Sequence, residues 1–82
     1  MSQEKVKITI DHVLSIHEAI IKFGDQKELA KFLGVTSSNV SLWARGKQVI
    51  PIRHADKICK KYPEFTMLYL RPDIEMYRRF FK

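Results

Sequence analysis

The chain is short of cysteine, glycine and proline: one, three and three among its 82 residues. Each shortage excludes something. The lone Cys59 cannot form an internal disulfide, which suits a reducing cytosol and excludes a disulfide-stapled secreted scaffold. His12 and His17 are five residues apart, about 140° around a helix. With no second cysteine to join them, no metal site is expected, and no cofactor either. No serine sits in a glycine-flanked elbow and no glycine-rich loop could cradle a phosphate, so the chain does not read as an enzyme. The longest apolar run, Met67–Leu70, is far below the ~20 residues that span a bilayer. The opening MSQEKVK lacks the apolar core of a signal peptide, so the expectation is a cytoplasmic protein with no membrane partner.

What is present is positive charge, and it is unevenly placed. The formal net charge is +6. Residues 1–21 carry −1 and residues 62–82 carry +1, which leaves +6 on residues 22–61. There Lys22, Lys27, Lys31, Arg45, Lys47, Arg53, Lys57, Lys60 and Lys61 stand against Asp25, Glu28 and Asp56. A concentrated positive field attracts a phosphate backbone through counterion release. Lys57, Lys60 and Lys61 lie on a later helical pattern and read as a solvated face.

At this length the chain is a single domain, 1–82, with a core over about 12–74, an N-terminal arm over 1–10 and a C-terminal apolar helix or tail over 73–82. KVKITI at 5–10 alternates strictly and suggests a short strand or extended arm, with a helix beginning near Asp11 as the competing reading. Ser15 and Glu18 have capping-box spacing, so the first helix is expected over roughly 12–23, ending at Gly24. Asp25 is placed to cap a helix over 26–33 that Gly34 ends. Thr36 is placed to cap a third over 37–45 that Gly46 ends. Pro51 suits the first turn of a fourth, whose stripe is Ile52, Ala55, Ile58, Cys59 and Tyr62. A short turn or helix at 66–71 and a helical pattern at 73–81 complete an all-α chain of four to five helices.

The stretch QKELAKFLGVTSSNVSLWAR, Gln26 to Arg45, is the most informative. Two short helical patterns meet at a Leu-Gly-Val corner, as in a helix-turn-helix. Ala30 is small where the two helices would touch. Gly34 stands where the chain must turn with positive φ, costly for any residue with a Cβ. On a helical wheel Val40 and Trp43 point inward, while Ser38, Asn39, Ser41, Leu42 and Arg45 fall on the opposite face. Trp43 and Cys59 read as core.

LAKFLGVTSSNVSLW resembles the LAxxLGVxxxxVSxW signature of the lambda-repressor-like superfamily, in particular the phage and prophage Cro-type regulators. Leu70-Arg71-Pro72-Asp73-Ile74 is similar to the LRPDI that closes many of those domains. The likeness covers about residues 15–74. It implies a lambda-repressor-like helix-turn-helix fold and sequence-specific binding of double-stranded DNA. By that likeness Thr36, Ser37, Ser38, Ser41 and Leu42 would read bases, and Gln26, Lys27, Asn39, Arg45 and Lys47 would contact phosphates. The chain departs from the pattern at the reading positions. Ser37 and Ser38 replace common glutamines and cannot make the bidentate pairing Gln makes with adenine, and Leu42 replaces a common lysine.

One small domain touches few base pairs, so a homodimer on a pseudo-palindromic operator is expected. Met76, Tyr77, Phe80 and Phe81 form a candidate dimer surface. The short Ser/Leu face and the aromatic C-terminus also suit a different class, a protein-interaction module such as an antitoxin-like partner.

Overall fold

A computed structural model of the chain describes residues 7–74. Among these are five helices and no strand: α1 Ile10–Phe23, α2 Gln26–Leu33, α3 Ser37–Ala44, α4 Ile52–Lys61 and α5 Met67–Leu70. The all-α expectation holds. The alternating pattern at 5–10 does not make a strand where the chain is described, because Ile10 already opens α1 and residues 7–9 have no regular structure. The candidate dimer residues Met76, Tyr77, Phe80 and Phe81 lie outside the described residues, as does most of the 73–81 pattern.

The start of α1 corrects the capping-box reading at Ser15. Thr9 occupies the N-cap with extended backbone, and its N–H donates to His12 Nδ1 at 3.0 Å. Ser15 is fully buried one turn into the helix, where its Oγ donates to the His12 carbonyl at 2.9 Å. Glu18 instead accepts from the Tyr69 hydroxyl at 2.7 Å and so ties α1 to α5. The Ser-x-x-Glu spacing was real, but Ser15 bonds back to a carbonyl within α1 and Glu18 is taken by a tertiary partner on α5.

The core joins Ile16 and Ala19 of α1, Leu29, Ala30 and Leu33 of α2, and Val40, Trp43 and Ala44 of α3. To these the rest of the chain adds Ile50, Ala55, Ile58, Phe65 and Leu70. Of the stripe expected on α4, Ala55 and Ile58 are buried, while Ile52 is exposed and Cys59 and Tyr62 are half-buried.

A polar clasp closes this core. The Arg71 guanidinium, itself buried, donates through Nε and Nη2 to the two Asp73 carboxylate oxygens at 2.8 and 2.7 Å. Its Nη1 donates to the Ile50 carbonyl at 2.9 Å. His12 Nε2 lies 2.9 Å from Asp73 Oδ1. A carboxylate can only accept, so His12 Nε2 carries a proton and donates to Asp73. The Arg71 fork, with help from His12, holds the Asp73 carboxyl well below its usual range, at about 2. The LRPDI segment is thus a fastener joining α1, the α3–α4 loop and the C-terminal segment.

Candidate nucleic-acid interface

α2, the turn at 34–36 and α3 form a helix-turn-helix unit. Asp25 Oδ1 caps α2 by accepting the Glu28 N–H at 2.8 Å. At its other end Val35 N–H returns to the Ala30 carbonyl at 3.0 Å and Gly34 N–H to that of Lys31 at 3.3 Å. These paired bonds make a Schellman stop, which needs a left-handed residue; Gly34 supplies it with φ 74° and ψ 32°. A Cβ on Gly34 would meet nothing within 4 Å, so its requirement is conformational and not spatial. α3 ends the same way. Lys47 N–H reaches the Leu42 carbonyl at 2.9 Å and Gly46 N–H that of Trp43 at 3.2 Å, with Gly46 at φ 73°. Here space matters as well, because a Cβ on Gly46 would stand 3.2 Å from Val13 Cγ2 of α1.

Three further contacts fix α3. Thr36 Oγ1 accepts the Asn39 N–H at 3.3 Å, so the hydroxyl expected to read bases also serves as N-cap. Gln26 Nε2 donates to the Ser37 carbonyl at 3.1 Å and joins the opening residues of the two helices. At the far end His17 Nε2 donates to the Ala44 carbonyl at 2.9 Å, satisfying an orphan acceptor. The Trp43 ring lies 5.9 Å from that of His54, tilted by 37°; His54 is buried, and its Nδ1 has no hydrogen-bond partner among the described residues. Burial, and then the charges of Arg53 and Lys57, lower the His54 pKa.

The outward positions fall where the helical wheel puts them. Thr36, Ser37, Ser38 and Asn39 are exposed, Ser41 and Leu42 are half-buried, and Arg45 and Lys47 are exposed. Arg45, at the C-cap of α3, donates through Nε to Ser41 Oγ at 3.2 Å. Lys27 is exposed one residue past the half-buried Gln26. Eight of the ten expected positions therefore lie on α3 or just beyond its two ends; Gln26 joins them through the Ser37 carbonyl, and Lys27 follows it on the first turn of α2.

The charge is less concentrated than its sequence segment implies. Lys57 and Lys61 stand 5.6 and 6.0 Å from the centre of the Phe32 ring, and Lys22 5.0 Å from that of Tyr62. Phe23, Phe32 and Tyr62 pack together where α1, α2 and α4 end. Cations there balance the negative ends of three helices as well as the ring faces. Lys60 pairs with Asp56 at 2.9 Å. Lys27, Lys31, Arg45, Lys47 and Arg53 keep no acidic or aromatic partner among the described residues.

Sequence reasoning missed the His12–Arg71–Asp73 clasp, the His17–Ala44 bond and the Gln26–Ser37 bond. Only the first left a signal, the LRPDI string, which carries no periodicity to say what it touches.

The fold and this site define a small helix-turn-helix protein. A family profile described as bacterial toxin YdaS matches residues 16–78, about three-quarters of the chain, and the chain belongs to that family. Neither a curated protein nor a solved structure matches it. No described helix is long and apolar enough to cross a membrane.

Proposed function

We propose that the chain is a sequence-specific DNA-binding transcriptional regulator, a Cro-type repressor that sets α3 into the major groove of an operator. The observation that carries this reading is the division of α3. Val40, Trp43 and Ala44 bury one side, while a row of small polar side chains is left outward, with cations at Lys27, Arg45 and Lys47 that have no acidic partner among the described residues. A helix so held can enter the groove without steric conflict, and the cations can meet phosphates on either side. Ser37, Ser38 and Ser41 would touch base edges, with Leu42 against a thymine methyl. Gln26, Lys27, Asn39 and Lys47 would fix the register on the backbone. Two copies on a pseudo-palindrome would supply the specificity one copy lacks.

The test is the double variant Arg45→Ala, Lys47→Ala. Both side chains are exposed, so folding is preserved and duplex binding falls steeply. Unchanged binding would refute the reading.

A second reading has its own support. The family description names a toxin, and α1 exposes Ile10, Leu14 and Ile21 at 66, 51 and 75%. These three fall within about 40° of arc on the wheel, a stripe suited to a protein partner. If the chain acts by binding a protein, Leu14→Asp with Ile21→Asp removes that complex and leaves duplex binding intact.

A further inference from the structure

Ser41 and Arg45 carry an inference that rests on the DNA-binding reading and sharpens it. We propose that Arg45 reads a guanine, with Ser41 as its brace, instead of serving as one more phosphate anchor.

Three observations support this. Ser38 and Ser41 of α3 and Arg45 at its C-cap lie within about 60° of arc on the helical wheel, on the side opposite Val40. Arg45 Nε is engaged by Ser41 Oγ at 3.2 Å, while Nη1 and Nη2 make no hydrogen bond among the described residues. One edge of the guanidinium is thereby tied along the helix, and the two-donor edge is left as a fork. That fork matches guanine O6 and N7, which accept two parallel bonds from arginine. The third observation is elimination along the outward face. The Thr36 hydroxyl accepts the Asn39 N–H, Leu42 has no polar group, and Ser37 and Ser38 each offer a single rotating hydroxyl. Among the residues of α3 and its two caps, Arg45 is the one whose side chain can make a base-specific bidentate contact with guanine.

An exposed bond four residues apart is weak in water. In a groove from which water has been excluded it gains strength, and the brace then lowers the freedom Arg45 loses on binding. Ser41 is in this sense a positioning residue.

The experiment uses the full chain. Duplexes selected from a random pool give the preferred site, and wild type, Arg45→Lys, Ser41→Ala and Ser41→Thr are titrated on it and on every single-pair change. Arg45→Lys keeps the charge but loses the fork. The expected result is loss of about 5- to 150-fold discrimination at one G·C pair, with preferences elsewhere and the salt dependence unchanged. Replacing that guanine by 7-deazaguanine should weaken wild type and leave Arg45→Lys unaffected. Ser41→Ala should lose part of the same discrimination and Ser41→Thr should retain it. An Arg45→Lys variant with all wild-type preferences overturns the proposal and leaves the DNA-binding reading standing, as does a 7-deaza effect equal in both proteins. Wild type with no duplex binding overturns both.

Discussion

Asp73 accepts a hydrogen bond from His12 Nε2 at 2.9 Å across 61 residues of sequence. Through this bond the first turn of α1 and the segment after α5 stabilise each other, with Arg71 completing the fastening. The scaffold that holds α3 is therefore closed by side chains that lie outside the helix-turn-helix segment.

Removing the Asp73 charge should cost stability. Its pKa lies at about 2 in the fold against 3.8 ordinarily, and its side chain is only 23% exposed. A depressed acid contributes stability that is fully present above its unfolded value and is lost as pH falls from about 4 toward 2. Asp73→Asn should cost roughly 2 kcal/mol at pH 7 by urea unfolding and flatten the acid limb between pH 4 and 2. Equal stability of the two proteins at pH 7 would show that the clasp contributes nothing.

The buried His54 should likewise cost stability on acidification, but in a higher pH range than Asp73. A base whose pKa is lowered by burial favours the fold while neutral. Its effect is complete above pH 6.5, and stability falls as the unfolded chain takes up a proton below that. His54→Phe removes an Nδ1 that has no partner among the described residues and keeps a ring against Trp43. It should be as stable as wild type or about 1 kcal/mol more stable at pH 7, and should lose less stability between pH 6.5 and 5. Thermal melts at the two pH values compare them.

Gly34 and Gly46 share a left-handed φ but differ in surroundings. Gly34→Ala should cost about 1 kcal/mol, the conformational term alone, and Gly34→Asn less. Gly46→Ala must also displace Val13, so it should cost more. Chemical denaturation of the three variants orders them, and the reverse order would contradict the spatial argument.

These cases mark what the sequence made legible. The bounds of α2, the inward face of α3 and the glycine stops followed from local rules, because capping and periodicity act within a few residues. The start of α1 did not. Thr9 and His12 form its cap with a side chain that sequence rules do not count among capping residues, and Ser15 was claimed by the core. The stripe on α4 was legible at Ala55 and Ile58, but Ile52 is 52% exposed. The clasp and the division of the lysines depend on contacts between distant segments, which spacing does not encode. At the candidate interface the helix and its outward residues were legible. The tie from Ser41 to Arg45 was not, since a four-residue spacing fits many surface pairs.

Lys47 gives a distinct electrostatic prediction. If it contacts one phosphate in each of two subunits, Lys47→Ala should make the slope of log K against log salt about 2 less steep and weaken all duplexes alike. Loss confined to one base pair would assign it a reading role.

The most direct test of the central claim is equilibrium binding of the full chain to duplexes drawn from a random pool, titrated across salt. With two subunits each making about 3–5 phosphate contacts, the account predicts a preferred pseudo-palindromic site and a slope of about −5 to −9. Binding that is equal on all duplexes at 150 mM salt, or that is flat in salt, would contradict it.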